Sequence, residues 1–542
     1  MSNQTSSVKI YEERNTTYGL GQELRFFIPP NVLMMNTQET FLKFNLRVST
    51  NTYNQYALNK QIGAEALIKE LSIFSGDEDC CIEQIRGYNR LCRNLAYYNN
   101  NSSMDNFAQV FKGGQELSPV RASNVLFNKD ANSNVTQKTI EVVFPLSLSG
   151  VFSSSQPFPV FLTKGLIVKI LLEDDVYKVC NHMSQSTSVY NKAHRTNNKY
   201  LNRPVGTSQG LQYESLDVVP NANSTSVDLR KSGDALQDGN YFIPEPTGNF
   251  TDVRDHPFSV GCKITLRKSN QTSPTDVEIT SCVANANRLR LGFGAVNVFG
   301  SAEANVKINL KTEKSELELS NVEIIVGTIT PNQKVLSGLE SAVRSKGGYA
   351  LDMTSWLDYP VNINANALQS SIFIPAKLAR AKTILSMWED VGSAEDGSRD
   401  ALLSVLDTAT TTTDNADASA TSPKEYVWQL NNLLHPNRKV EMSKLSNTTT
   451  ETGGWEPVHL KELEQGIESG GYAVRNLLEP QQACVIARNL ARYGHTYNML
   501  MSKGETRLNI DWNSQTRSLL VHNYVCHIRR LVVNANQKVV VM

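Results

Sequence analysis

The fold class is decided by the stretch FLKFNLRVS (41–49), in which apolar and polar side chains alternate. The apolar set stands at every second position and consists of Leu42, Phe44, Leu46 and Val48. The polar set fills the positions between and consists of Lys43, Asn45, Arg47 and Ser49. Because successive side chains of a β-strand point to opposite faces, this period of two predicts a strand with one buried face.

Strand patterns dominate the rest of the chain. The same alternation recurs at 306–310 and 508–512, and shorter strand-like stretches lie at 23–25, 368–371 and 383–388. Longer apolar runs, typical of strands buried on both faces, occupy 166–172, 322–329 and 519–533.

Helical patterns are few, and we predict them only over 82–97, 335–345 and 483–493, the last ending at Gly494. Many strands, few helices and no regular alternation of strand and helix argue against a parallel α/β fold. The sequence therefore predicts an all-β fold with a few short helices, built from antiparallel sandwiches or jelly rolls.

Composition sets further limits. The 542 residues are enough for two or three domains, and a hydrophobic fraction of 40% excludes global disorder. Lys+Arg and Asp+Glu both total 53, so the formal net charge is zero. A protein that wraps nucleic acid carries excess positive charge, so we predict no direct nucleic-acid binding. We also expect neither a signal peptide in the first residues nor a transmembrane segment.

The cysteines are scattered and form no CxxC pair, which predicts free thiols. They are Cys80, Cys81, Cys92, Cys180, Cys262, Cys282, Cys484 and Cys526. Three polar stretches predict long insertions or exposed loops: 98–137, 177–256 and the near low-complexity segment 407–424.

A three-residue repeat suggests duplication. Phe27-Ile28-Pro29 and Phe373-Ile374-Pro375 each follow a strand-like stretch near the start of one half of the chain. If the repeat is structural, both phenylalanines should lie on equivalent early strands and point into their barrels, with the prolines ending the strands.

Motifs for chemistry are missing. There is no GxSxG and no GxxxxGK[ST], and Gly292-Phe293-Gly294 lacks the third glycine of a dinucleotide fingerprint, so we interpret it as a turn. No two histidines have the spacing of helical zinc ligands. Cys180, His182 and His194 could form half of a metal site, but they lie in a polar insertion, and we prefer a plain loop. We predict no catalytic, cofactor-binding or metal-binding residue and no cofactor, so the chain is not expected to be an enzyme.

Three smaller features have structural explanations. The acidic stretch 76–79 lacks the spacing of a calcium loop and fits a hairpin tip. Arg529-Arg530, inside a predicted strand, fits salt bridges at a subunit contact. Tyr426 and Trp428, like the pair Tyr97-Tyr98, could form a stacking platform, although their alternation favours burial in a core.

Several segments resemble the major capsid proteins of polinton-like viruses and virophages, a double-jelly-roll family of DNA viruses. The segment 63–91 resembles the family's early strand, tight turn and following helix with its Tyr88-Asn89 pair. Segments 144–152 and 158–175 are similar to paired strands, and 317–331 is similar to the last strand of the first barrel. The segment 425–442 is similar to a strand of the second barrel, carried by Trp428, Leu430, Asn431 and Pro436.

The resemblance implies two tandem eight-stranded jelly-roll barrels and a pseudo-hexagonal trimer that builds an icosahedral shell. We expect an N-terminal arm at 1–19, a first barrel at 20–331 with insertions at 98–137 and 177–256, and a second barrel at 332–542 with an exposed loop at 407–424. The implied partners are other copies of the chain, a penton protein and minor or cement proteins, with localisation in the virion after assembly inside the host cell.

Two other functions remain open at this point. A carbohydrate-binding, lectin-like β-sandwich would use the aromatic residues as sugar platforms. A glycoside hydrolase on a β scaffold would need two carboxylates facing each other across a cleft.

Overall fold

A computed structural model describes most of the chain. The described residues are 4–49, 55–99, 107–108, 110–114, 126–129, 135–183, 212–214, 226–230, 263–267, 275–285, 288–293, 307–311, 316–345, 348–390, 402–404, 422–442, 457–475, 484–491, 495–500, 504–514, 518–534 and 538–541.

Among the described residues, twenty strands come before residue 331. They are β1 (Gln4–Tyr11), β2 (Thr17–Tyr18), β3 (Glu23–Ile28), β4 (Met34–Ser49), β5 (Gln55–Leu58), β6 (Ile68–Ser75), β7 (Cys81–Arg86), β8 (Phe127–Lys129), β9 (Val135–Gln137), β10 (Thr139–Phe144), β11 (Leu166–Leu172), β12 (Cys180–Met183), β13 (Gln212–Glu214), β14 (Ser226–Arg230), β15 (Lys263–Arg267), β16 (Thr275–Glu278), β17 (Ser281–Asn285), β18 (Arg288–Gly292), β19 (Lys307–Lys311) and β20 (Glu316–Thr330).

The remaining strands are β21 (Tyr349–Ile363), β22 (Gln369–Phe373), β23 (Ala381–Asp390), β24 (Ser422–Leu430), β25 (Leu433–Glu441), β26 (Val485–Asn489), β27 (Thr506–Ser514), β28 (Leu519–Val533) and β29 (Val539–Val541). The α-helices are α1 (Tyr88–Tyr98), α2 (Val176–Val179), α3 (Gln333–Arg344) and α4 (Pro457–Ser469).

Eight of the early strands form the first barrel. One sheet has the order β1-β20-β4-β10, with β2 beside β20, and the other has the order β3-β11-β6-β7. Counted along the chain, the first of these strands pairs with the last, the second with the seventh, the third with the sixth and the fourth with the fifth. Such nested antiparallel pairs, rolled into two facing sheets, are a jelly roll.

The second barrel repeats this topology. Its sheets have the orders β21-β28-β23-β26, with β29 beside β28, and β22-β27-β24-β25. The nested pairs are β21 with β28, β22 with β27, β23 with β26, and β24 with β25. The predicted fold class, two tandem eight-stranded jelly rolls with a few short helices, is confirmed.

The insertions carry small sheets of their own. Strands β8 and β9 from 98–137 join β5 and β12. Strands β13 and β14 from 177–256 pair with strands of 263–311, in the sheets β13-β19-β15-β16 and β14-β18-β17, which lie outside the eight-stranded barrel. Most of 177–256 and of the loop 407–424 lies outside the described residues, as do Cys262 and His194.

The N-terminal arm expected at 1–19 contains a strand of the first barrel. Strand β1 pairs with β20 from Gln4↔Thr330 to Tyr11↔Glu323 and forms the edge of a barrel sheet. Its sequence, QTSSVKIY, is too polar to show a buried period, and this is why sequence patterning missed it. The boundary expected near 331 stays a prediction; the barrel strands themselves end at Thr330 and resume at Tyr349.

Two of the three predicted helices need correction. The segment 82–97 is strand β7 followed by α1, and the segment 483–493 contains strand β26, while 335–345 matches α3 closely. Spacings of three and four residues among the apolar residues of these segments mimicked a helix, although sheet pairing dominates in the fold.

Helix α4 was not predicted. Segments 144–152 and 158–175 are also not a strand pair, because β11 pairs with β3 and β6.

The repeat is structural, but its phenylalanines point the other way. Ile28 pairs with Leu166, the first residue of β11, and the Ile374 N–H donates to the carbonyl of Thr506, the first residue of β27. Both isoleucines are buried, whereas Phe27 is half-buried and Phe373 is 41% exposed. The motifs therefore occupy equivalent positions, and the residue that points inward is the isoleucine.

Candidate functional site

The two barrels pack on each other through one hydrophobic layer. A single cluster of buried side chains runs from the interior of the first barrel to the outer face of the β21-β28-β23-β26 sheet, where it includes Trp356, Leu385 and Cys526. A separate cluster fills the inside of the second barrel. The sheet is therefore buried on both faces, as the run 519–533 predicted.

Main-chain contacts bring the barrels very close. A Cβ on Gly150, in the loop after β10, would lie 2.3 Å from the carbonyl oxygen of Thr354 on β21, so only glycine fits. The Tyr524 hydroxyl donates to the carbonyl of Gly87 over 3.0 Å, and Arg529 Nη2 donates to the carbonyl of Cys81 over 2.9 Å. These contacts fix the N-terminal end of α1 and the edge strand β7 against the second barrel.

A buried group of charges, which we name the junction cluster, spans this contact. It consists of Arg90 on α1, Lys178 on α2, Asp358 on β21, Glu389 on β23 and His522 on β28. Glu389 accepts from Arg90 Nη2 at 2.8 Å and from Lys178 Nζ at 2.9 Å. Two cations of the first barrel thus bind one carboxylate of the second.

His522 links the carboxylates of the cluster. Its Nδ1 lies 2.7 Å from Asp358 Oδ2 and its Nε2 lies 3.2 Å from Glu389 Oε2. Only the imidazolium can donate to both. Burial lowers the pKa of His522, but the hydrogen bonds to the two carboxylates outweigh it and raise that pKa above its ordinary value. Burial likewise raises the pKa of Glu389, but Arg90, His522 and Lys178 together bring it well below its usual range.

A second buried carboxylate holds the loop after β10. Glu83 is fully buried and accepts from Ser149 Oγ at 2.5 Å and from the Gly150 N–H at 2.8 Å. Burial raises the pKa of Glu83. Because the loop it orders is the one that contacts Thr354, this carboxylate shapes the surface of the first barrel that covers the second.

The matching face of the first barrel is open. On the outer side of the β1-β20-β4-β10 sheet, a row formed by paired residues runs from Tyr11 through Glu323 to Lys43. Tyr11 is 65% exposed, and Lys43 Nζ binds Glu141 at 2.9 Å and Glu323 at 3.7 Å. We name this surface, with Lys9 and Glu141, the open face. In the second barrel, Tyr524 lies on the outer side of β28, the strand equivalent to β20, and is fully buried.

The residues singled out in the sequence are not brought together. The acidic stretch 76–79 is the tip of the β6–β7 hairpin, and Gly292 ends β18. Tyr426 and Trp428 are buried in the second barrel, as predicted, and so are not available as a sugar platform. Tyr97 and Tyr98 are buried as well.

Metal and membrane features are not found in the part of the chain that is described. Within it, no group of three or more His, Cys, Asp or Glu side chains is placed to hold a metal ion. Cys180 is a buried free thiol. None of the helices described above is long and apolar enough to cross a membrane.

Sequence reasoning missed the junction cluster. Its members lie between positions 90 and 522, and their meeting depends on how the barrels dock. One signal was present: His522 is a titratable residue inside the buried run 519–533, and such a residue needs a partner.

The nested strand pairs and the docked barrels define a double-jelly-roll protein. No protein-family model matches the chain, and no curated protein matches it. Solved structures similar to it over its whole length include the PBCV-1 virus capsid, with a TM-score of 0.47, 8% identity, and coverage of 100% of this chain and 97% of that one.

Two further similar structures are those of a virophage and of another major capsid protein. The Sputnik virophage structure matches with a TM-score of 0.42 at 8% identity, covering 99% of this chain and 88% of that one. The mavirus major capsid protein matches with a TM-score of 0.34 at 8% identity, covering 99% and 90%.

Proposed function

We propose that this chain is a major capsid protein that forms pseudo-hexagonal trimers and assembles into an icosahedral viral shell. The observation that carries the proposal is the head-to-tail packing of the barrels. The α1 and β7 side of the first barrel covers the outer sheet face of the second, while the same face of the first barrel stays open.

A head-to-tail contact continues until a ring closes it. The two barrels of one chain form one such contact. The open face can form a second contact of the same kind with another copy of the chain. Three chains supply six barrels, so that each open face is covered by the second barrel of a neighbouring copy. A ring of this kind also covers sheet edges such as β1, which would otherwise invite uncontrolled pairing.

In this proposal the chain acts through assembly. It resides in the virion after assembly inside the host cell, and its partners are other copies, a penton protein and minor or cement proteins. No catalytic residue, cofactor, metal or sequence-specific nucleic-acid contact is assigned to it. The neutral net charge suits close packing of identical subunits, since a large like charge would repel.

Light scattering of the purified chain tests the proposal. We expect three times the chain mass of 60.2 kDa, or larger particles. Tyr11→Asp on the open face should weaken association about tenfold or more, because it buries a charge in the contact. The matched control is Val335→Asp on α3, an apolar site that is 43% exposed and lies in the connection between the two barrels. A wild-type chain that stays monomeric at micromolar concentration would contradict the proposal.

A further inference from the structure

A cleft of about 760 Å³ opens where strand β7 meets the second barrel. Its lining includes the sequence pair Arg529-Arg530, residues of the 375–380 connection before β23, and the end of β29. None of these residues belongs to the junction cluster or to the open face.

Positive charge dominates the cleft. Its described lining contains Lys377, Arg380, Arg529 and Arg530 and no acidic side chain. One carboxylate behind it, Asp352, binds Arg530 Nε at 2.7 Å and Arg380 Nη1 at 2.8 Å. This pairing holds two guanidinium groups in place and leaves a net positive charge that favours an anionic ligand.

Buried polar atoms in the lining lack partners. His527 is 5% exposed, and its Nδ1 has no hydrogen-bond partner among the described residues. The Nε of Arg529 is likewise buried without a partner, although its Nη2 donates to the carbonyl of Cys81. Both residues line the cleft, and because buried polar groups in folded proteins are nearly always hydrogen-bonded, these two atoms mark its wall as incompletely satisfied.

Apolar side chains lie among the cations. Leu357, Leu378, Ile528 and Val541 line the same cleft, and Leu500 at its rim is 58% exposed. A cleft that offers both cations and apolar contact fits a ligand with both carboxylates and apolar groups.

We propose that the cleft binds a peptide segment of another protein in which acidic and apolar side chains alternate. Several carboxylates match the several cations, whereas a fatty acid brings a single one. Nucleic acid is disfavoured because the described lining has no aromatic side chain on which a base could stack. The inference does not depend on trimer formation, since it concerns a different surface.

Fluorescence anisotropy with the full-length chain tests this. The probe is a fluorescein-labelled peptide of alternating Asp and Leu, with an Asn and Leu peptide, a single-stranded oligothymidine and laurate as comparison ligands. We expect saturable binding of the acidic peptide that Lys377→Glu weakens about tenfold or more. Amide hydrogen exchange should slow at 528–530 in the complex. Lys334→Glu on α3, an exposed site outside the cleft, is the matched control.

Three outcomes would overturn the proposal. They are no saturable binding of the acidic peptide, an equal loss in Lys334→Glu, and tighter binding of the oligonucleotide or laurate than of the peptide. A chain that binds the peptide but stays monomeric would sustain this inference and contradict the proposed capsid assembly.

Discussion

Two sheets of the same topology differ in what covers them. In the first barrel, strand β4 alternates buried and accessible residues from Phe41 to Val48, so its sheet has one open face. In the second barrel, strand β28 is continuously buried from Asn523 to His527, where the first barrel packs on its outer side. The contrast shows that strand order is set by the barrel, while burial of the outer face is set by a neighbour.

The two outer faces also differ in how their charged side chains are paired. Charges on the open face are paired at partly exposed sites, as Lys43 is with Glu141. Charges of the junction cluster, on the covered face, are mostly buried, and Glu389 is held by several partners. A surface pair contributes little to stability, whereas removing one member of a buried set leaves an uncompensated charge.

The largest expected effect is that of Glu389→Gln. It leaves Arg90, Lys178 and His522 around a neutral side chain, and we expect a loss of about 3–5 kcal/mol in the free energy of unfolding. Urea unfolding measures it. The counterpart on the open face is Glu141→Gln, which should cost less than about 1 kcal/mol because Glu141 is 57% exposed. Equal costs would mean that the two faces do not differ as described.

A second prediction compares the barrels at the repeated motif. Ile28→Ala and Ile374→Ala should each cost about 2–5 kcal/mol, since both side chains are buried in a barrel core. Phe373→Ala should cost less than about 1 kcal/mol, because its ring lies on the surface against Arg507. These values replace the expectation from the sequence that Phe27 and Phe373 both point into their barrels.

Thermal unfolding monitored by tryptophan fluorescence gives these values. A cost at Ile374 as small as that at Phe373 would break the equivalence of the two motifs. The strands would then share an order along the chain without sharing an inward register.

The sequence predicted the barrels better than their contacts. Alternation at 41–49 and the mostly apolar character of 519–533, with its polar interruptions, each reflect local burial, so both strands and even their different environments were predictable. Strand β1 was not, because a polar edge strand has no buried face to leave a period in its sequence.

For a functional site, the sequence predicted only that no catalytic, cofactor-binding or metal-binding residue is present. The junction cluster depends on residues more than 400 positions apart, such as Arg90 and His522, and on a docking geometry that no local pattern encodes. The motif FIP was found, yet its orientation was misjudged by one residue. In a strand, a shift of one residue reverses every face.

The smallest expected effect is in the pH dependence of the covered face. His522 is held between Asp358 and Glu389, with Arg90 on the same carboxylate and Tyr524 stacked beside the ring. Its folded pKa is raised above the ordinary value of about 6.5. The stability it contributes is therefore fully present below pH 6.5 and is lost as the pH rises through the folded pKa.

Two other buried histidines act in the opposite direction, because burial lowers the pKa of His459 to about 3 and that of His527 to about 4. The free energy of unfolding is measured against pH for the wild type and for His522→Asn, and the second profile is subtracted from the first. Both chains contain His459 and His527, so the effect of these two histidines cancels in the difference. We expect this difference to be largest at mildly acidic pH and to shrink toward alkaline pH. A difference that grows with pH would show that His522 is neutral in the folded chain and that the junction is not held by an imidazolium.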